Sequence, residues 1–583
     1  MSATTTSASD AKHPWRFAGL AGLLAAAQLC GCWFGGAVWL AYSLPATAAL
    51  LLLWVVASGT RVLRGDCRQE LPPSNQQPGL RRVLAGGAAG WRNHACWQAA
   101  PGMLAATVLV ALVVWQVEPQ FRVQFDESSL AAVAWHLHRE GAALMTTAAV
   151  PFAGETIAWE STLDKRPPLF ALLVAAVHLV AGPAPEHAFV VNAGLLWVLL
   201  VGLYQGFAPR LGRSVGLAAQ LLATALPLLP VLARSGGFEL LATCLLVLVT
   251  AAAWSVGEAP SPARWRLLVA LAALLGYARY ESLLLAVVVL GLTHWRARQR
   301  GGPGPGGLLW WLLPAWVPLL FLVKHGQRAD FHAEAAGAAL WSLEHLRTHS
   351  GAWLLAQCWP PLASPWPGAS LIVGVGALVL LACRRRVPRG LLLLWLPALV
   401  ATLLVQLWFF GDVAEPGAAR LYLPGALLGA LLPLLWAVVA DRPRSGVVVL
   451  VLAMFWFGLR VVQWQAMAPK ATSPASAIVT KIEAVVLAAP PAPGPVLWIS
   501  CAAQHLILRG HAAMTVEALG RRQAEVQQLL RRGHIRSLRL LQTPLDEAFA
   551  PAFGDPAEVL RAMPAQMLGT NNAPGYAVHE LRW

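Results

Sequence analysis

Apolar residues run through this chain in long, nearly charge-free blocks, not in the short alternations of a soluble fold. Candidate blocks lie at 17–41, 44–59, 101–117, 167–183, 188–207, 214–233, 237–256, 265–278, 281–294, 307–323, 369–383, 390–410, 421–440 and 445–463. A helix needs about 20 apolar residues to cross the hydrocarbon layer. Several blocks are shorter, so about twelve to fourteen crossings are expected. The first stretch, Phe17 to Ser58, far exceeds the ~7–15 apolar residues of a cleavable leader, and reads as an uncleaved pair of spans. After residue 463 the pattern changes. Val496–Ser500 and Ser537–Leu541 read as buried strands, Ala577–Leu581 as a third, and 521–532 as an amphipathic helix. The proline-rich stretch 486–495 reads as a linker. The expected fold is an α-helical polytopic membrane protein with a small C-terminal extracytoplasmic α/β domain. Its divisions are 1–100 (spans and a basic loop), 101–463 (the main helical body) and 464–583 (linker and α/β domain).

Composition supports the membrane class. Of the 583 residues 57% are hydrophobic and 12% charged, about half the ~25% charged share of a soluble protein. The net charge of +15 does not point to nucleic acid, because the arginines sit in short loops between apolar blocks, where they set topology. Loop 60–100, with Arg61, Arg64, Arg68, Arg81, Arg82 and Arg92, is expected to be cytoplasmic. So are the loops with Arg296, Arg298 and Arg300, with Arg384, Arg385, Arg386 and Arg389, and with Arg442 and Arg444. The acid-rich loop 118–166, loops 324–368 and 411–420, and the C-terminal region then fall outside. This alternation requires an odd number of crossings between 167 and 296, whereas six blocks are present; one is not a crossing, and 167–207 is the suspected place. The lysine-poor composition points to a GC-rich bacterium, hence to its inner membrane with the site on the periplasmic face. The eight cysteines show neither a disulfide framework nor zinc-ligand spacing. The absence of an internal repeat weighs against an inverted-repeat transporter.

Loop 118–168 concentrates the chemistry. Asp126-Glu127 precedes 128–141, where Leu130, Val133, Ala134 and Leu137 form a helical stripe. This predicts a helix on the membrane surface, capped by Ser128 or Ser129, with His136, His138, Arg139 and Glu140 on its wet side. At the far end Asp164-Lys165-Arg166-Pro167-Pro168-Leu169 enters the next block. A carboxylate pair and a cation pair thus bracket one external loop. The first suits proton removal from an acceptor, the second a phosphate leaving group. The bland alternative is loop charges with a snorkelling anchor. Arg234 with Glu239, and Arg279 with Glu281, are ionisable groups at span boundaries, which line sites or pair with one another. His136 and His138, two apart, face away from each other on a helix. His345 and His349, near Glu344, share a helical spacing compatible with zinc. Neither indicates a metal site, and no cofactor is indicated.

The order Asp126-Glu127, surface helix, Gly141, Arg166-Pro167-Pro168-Leu169, apolar block resembles the GT-C glycosyltransferases, above all the protein O-mannosyltransferase and bacterial aminoarabinose–lipid A transferase groups. Leu211-Gly212-Arg213-Ser214, Arg234-Ser235-Gly236-Gly237-Phe238-Glu239-Leu240-Leu241 and Arg420-Leu421-Tyr422-Leu423-Pro424 resemble further family segments, over roughly 101–440. Arg166 stands where the family has lysine, with Lys165 beside it. The resemblance implies a polyprenyl-phosphate sugar donor, an inverting transfer, and an envelope glycan, lipid or protein as acceptor. It implies Asp126 as general base, with Glu127 supporting it or sharing the role, and Lys165, Arg166 and Arg420 on the donor phosphate. The rival readings are a polytopic transporter or lipid-carrier flippase, which needs charges buried in mid-span, and a non-catalytic membrane scaffold.

Overall fold

The computed structural model describes residues 23, 25–26, 36–69, 87–152, 154–164, 166–312, 339, 341–384, 391–440, 445–546, 554–569 and 575–582. Lys165, Arg385, Arg386, Arg389, Arg442, Arg444, most of block 17–41 and much of block 307–323 lie outside these residues.

The chain is mostly helical and is a multi-pass membrane protein. Among the described residues five helices are long and apolar enough to cross a membrane: Leu40–Thr60, Ala99–Gln116, His187–Leu211, Glu239–Glu258 and Pro416–Val439. Ser445–Val461 with Trp464–Ala471, bent by 56°, makes a sixth. Leu169–Ala181, Ala369–Cys383 and Leu396–Leu407 are apolar but shorter. Several expected blocks are interrupted for local reasons. Block 214–233 divides into Arg213–Thr224 and Leu228–Ala233, where Pro227 supplies no N–H to continue the ladder. Blocks 265–278 and 281–294 become Pro262–Ala278 and Ser282–Gln299, separated at Arg279, whose backbone is extended. The Pro262–Ala278 helix is buried on nearly every side, as expected of a helix apolar all round. It anchors one of two large apolar clusters. The second gathers His187–Leu211, Arg213–Thr224 and the segment from Leu421 to Leu434.

The C-terminal part is larger than the sequence suggested. A seven-stranded sheet runs in the order β2-β1-β4-β3-β5-β7-β6. Its strands are β1 (Leu144–Phe152), β2 (Glu155–Leu163), β3 (Val496–Ile499), β4 (Ala513–Met514), β5 (Ser537–Gln542), β6 (Ala565–Gly569) and β7 (Ala577–Leu581). β3 lies parallel to β4 and β5; the other neighbours are antiparallel. The three expected strands are β3, β5 and β7. β1 and β2 come from loop 118–166, so the sheet draws strands from both sides of the expected boundary at 464. Ala148 and Ala149 pair with Met514 and Ala513, and both alanines are fully buried. Only small side chains let the two sheet faces close over that junction. The expected amphipathic helix is Val516–Arg521 followed by Gln523–Arg531. Helix Pro474–Ala488, capped by Ser473, takes over the start of the expected linker.

Two arginines that the sequence did not mark hold these parts together. The fully buried Arg460 donates to the carbonyls of Ala225 (3.2 Å), Leu362 (2.9 Å), Ser364 (2.5 Å) and Trp366 (2.6 Å). Arg122, 2% exposed, donates to Glu118 O (2.8 Å), Gln120 Oε1 (2.9 Å) and Thr472 Oγ1 (2.9 Å). Ser473 N–H donates back to Arg122 O at 2.7 Å. The first external loop is thus tied to the entrance of the C-terminal part. Arg460→Met would strand several buried carbonyls, each costing about 1–3 kcal/mol. The expected outcome is a fall of several degrees in thermal midpoint in nanodiscs; an unchanged midpoint would refute the clamp.

Candidate active site

The helix Gln124–Glu140 begins four residues earlier than the apolar stripe implied, so Asp126 and Glu127 occupy its first turn. Negative charge is favoured there by the helix dipole. Ser128 and Ser129 lie inside the helix and are buried. They do not cap it; the cap residue is Val123, without a side-chain bond. Of the expected wet face, Arg139 and Glu140 are exposed and His138 is half-buried, but His136 is not exposed. His136 is 2% exposed and its Nδ1 lies 3.2 Å from Thr146 Oγ1. The helix is enclosed by Leu169–Ala181 on one side and by β1 and the helix Ala503–Leu508 on the other, and this enclosure removes the solvent that the stripe alone had predicted at His136.

Glu127 is fully buried and accepts three backbone N–H bonds, from Arg122 (2.9 Å), Val123 (3.2 Å) and Gly236 (2.8 Å). It therefore joins the first external loop to the Ser235–Gly237 turn. That turn needs glycine, since a Cβ at Gly236 would lie 2.6 Å from the Phe121 ring. Asn192 Nδ2 holds the same turn through Ser235 O (2.7 Å) and Gly237 O (2.8 Å). Burial pushes the Glu127 carboxyl up to about 7, against the pull of Arg420 and the N–H groups of Arg122 and Gly236.

Asp126 has the opposite surroundings. Its two carboxylate oxygens are gripped by different guanidiniums, Oδ1 by Arg166 and Oδ2 by Arg420. Arg166 is turned back by Asp164, which accepts its Nη1 at 2.7 Å and its backbone N–H at 3.3 Å. Arg420 sits just after the short helix Pro416–Ala419, and its Nε donates to Gly417 O at 2.9 Å. Its Nη1 lies 3.0 Å from Glu239 Oε1, close enough for ion pairing though out of line for a hydrogen bond. Burial works against charge on Asp126, but Arg166 and Arg420 outweigh it and hold the carboxyl well below the usual carboxylate range. Burial likewise opposes the Arg166 charge, and Asp164 and Asp126 more than restore it.

A cavity opens beside Arg420. Glu239, Arg279, Glu281, Ser282, Trp341 and Trp408 are among its lining residues. Arg279 Nε and Glu281 Oε2 are 3.3 Å apart on its wall. Of the sequence-derived site residues, Arg420, Glu239, Arg279 and Glu281 line this cavity, and Asp126 and Arg166 join it through the Asp126–Arg420 pair. Arg234 does not reach this cavity; its Nε donates to Val117 O at 3.1 Å, where it fixes the exit of the preceding helix. Lys165 is outside the described residues. His345 and His349 stack at 5.9 Å and engage the carbonyls of Ala339 and Gln406. Among the described residues no cluster of three His, Cys, Asp or Glu side chains is arranged to hold a metal ion. Trp341 and Trp408, not marked by sequence pattern, supply flat faces 6.4 Å apart in a stacked arrangement.

No protein-family model and no curated protein matches the chain. Solved structures do. Crystalline ArnT from Cupriavidus metallidurans bound to undecaprenyl phosphate superposes with a TM-score of 0.51 at 14% identity, covering 82% of this chain and 97% of that one. This chain has an ArnT-like fold. The apo form of that ArnT gives 0.49 at 14% identity, over 85% of this chain and 98% of that one. The apo oligosaccharyltransferase of Archaeoglobus fulgidus gives 0.39 at 10% identity, over 82% and 74%.

The two carboxylates predict a stability profile with two limbs. Asp126 ionises below its ordinary 3.8, so its pairs contribute fully above that pH and are lost as pH falls further. Glu127 ionises near 7, above its ordinary 4.5, so its contribution is full below 4.5 and is lost as pH rises through about 7. Thermal midpoints measured from about pH 3 to pH 8 should show the acid limb flattened in Asp126→Asn and the neutral limb flattened in Glu127→Gln. Unchanged limbs would overturn these assignments. Glu127→Gln should also cost about 1–3 kcal/mol at low pH, because its amide nitrogen must face an N–H donor.

Proposed function

We propose that this chain transfers a sugar from a polyprenyl-phosphate-linked donor to an extracytoplasmic acceptor, at the outer face of a bacterial inner membrane. The carrying observation is a single carboxylate, Asp126, held between two arginines, one of which, Arg420, lines a cavity with ionic and aromatic walls. The ArnT-like fold supports it, and the undecaprenyl phosphate in the ArnT crystal supports this donor class.

In this reading the anomeric carbon loses its bond to the donor phosphate oxygen and gains one to the acceptor hydroxyl or amine. The proton released by the acceptor goes to Asp126. Arg166 and Arg420, with Lys165 nearby in sequence, stabilise the phosphate as it departs. Before donor binds, both guanidiniums bond Asp126, which makes it a weak base. A donor phosphate competing for the same guanidiniums loosens them from Asp126 and raises its basicity, so the base is activated when the leaving group is in place. Displacement from the face opposite the phosphate gives inversion. Glu127 takes no proton in this scheme: bonded to three N–H groups, it positions the turn that carries Asp126. Glu239 and the Arg279–Glu281 pair line the sugar side. No cofactor is required, and an envelope glycan, lipid or protein serves as acceptor.

Asp126→Asn leaves Arg166 paired with Asp164 and Arg420 paired with Glu239, so the variant should stay folded. Transfer of radiolabelled sugar from a panel of polyprenyl-phosphate donors to membrane acceptors should fall by roughly 10²–10⁴-fold in this variant. Arg420→Met should raise the donor KM. Full activity of Asp126→Asn removes the base assignment. No transfer by folded wild type from any donor, with lipid or solute flux instead, favours the transporter reading.

A further inference from the structure

A second cavity lies in the C-terminal sheet, away from Asp126. Its walls include the β1–β2 hairpin tip and the proline-rich segment 489–495, with Phe152, Trp498, His511, His534 and Arg539 among the lining side chains. The segment enters it because Pro490, Pro491 and Pro493 have no amide hydrogen to give a sheet and favour extended chain. Arg539 is its most informative residue. It is 4% exposed, and its guanidinium lies 5.7 Å from the Trp498 ring centre. Its Nε is buried without a hydrogen-bond partner. Among the described residues no carboxylate comes within ion-pairing distance. Its cross-strand neighbour Glu580 accepts from Ser537 Oγ at 2.7 Å instead, and Glu155 lines the cavity rim.

Arg539 thus faces the cavity without a counter-charge, and a buried donor such as its Nε left without a partner is costly. A fold retains it where an anion completes the site, and arginine offers the planar fork that phosphate or carboxylate matches. The flanking Trp498 and Phe152 rings, the latter 5.8 Å from His534, offer flat apolar surfaces of the kind that pack against a sugar ring. We infer that this cavity is a subsite for a saccharide carrying an anionic substituent, phosphate or carboxylate, on Arg539.

The cavity is joined to the transfer site by rigid structure. Thr156 on its rim donates to Gly510 O at 2.8 Å and accepts from Arg139 Nη1 at 2.9 Å. Arg139 ends the helix whose first turn bears Asp126, thirteen residues or about 20 Å away along the axis. No single sugar ring spans that distance. Given the transferase reading, on which this role rests, the subsite holds a remote anionic unit of an extended acceptor while another unit reacts.

The test is binding to the full chain in neutral-lipid nanodiscs by calorimetry, with glucose 1-phosphate, glucuronic acid, glucose and inorganic phosphate as probes. Wild type should bind the two anionic sugars, and glucose at least tenfold more weakly. Arg539→Met should weaken the anionic sugars at least tenfold, and Phe152→Ala, at an exposed wall, should weaken all three sugars without unfolding risk. No binding of either anionic sugar by folded wild type, or binding unchanged in both wall variants, overturns the subsite. Inorganic phosphate binding as tightly as glucose 1-phosphate removes the saccharide. Because Arg539 and Phe152 lie in a cavity apart from Asp126, binding that is lost in their variants while wild type transfers no sugar separates failure of the catalytic reading from failure of the subsite.

Discussion

One negative charge on Asp126 is shared by two guanidiniums that reach it from segments more than two hundred and fifty residues apart in the chain. Arg166 arrives at the entrance to the Leu169–Ala181 helix, and Arg420 from the start of the Pro416–Val439 helix. Each cation also has a private carboxylate, Asp164 or Glu239. The cluster is therefore near neutrality with any one ligand changed, which suits a place where charged groups must come and go at low dielectric. The helix that carries Asp126, the glycine turn under Glu127 and the arginine clamps on the loops all keep this cluster in register.

The neighbouring carboxylates illustrate how environment separates roles. Asp126 and Glu127 are consecutive, yet one faces two cations and the other three amide hydrogens. The first is held ionised and reachable; the second is sealed. A helix turns by 100° per residue, and that rotation alone sends one side chain to the two arginines and the other to the amide hydrogens. The resemblance allowed a supporting or a shared catalytic role for Glu127, and the proposed mechanism uses it as support.

Much of the membrane body was legible because apolar runs and loop arginines act locally. The order of Asp126, Arg166 and Arg420 was legible as well, through the segments that resemble known transferases. What escaped depended on partners distant in sequence. The β1–β2 hairpin has its own signal, two runs rich in Thr, Val, Ile and Trp around Ala153-Gly154. The acidic residues among them had favoured an exposed loop. His136 seemed wet until β1 and the Ala503–Leu508 helix covered it. Arg460 and Arg122 resembled other loop-end arginines, because nothing within a few residues of either reveals the carbonyls they collect. Span number was the least legible quantity, since breaks at Pro227 and Arg279 interrupt blocks that are continuously apolar on paper.

The pairing of β1 with β4 sets an order of events for biogenesis. Ala148 and Ala149 emerge early, whereas Ala513 and Met514 are made more than three hundred and fifty residues later. Until then the β1 edge has no neighbour on that side, and the enclosure of the Asp126 helix is incomplete. Contacts this distant close last. A nascent chain stalled inside the membrane body would thus hold its arginines and carboxylates without the lid that seals them, and the site would mature only as the final segment docks.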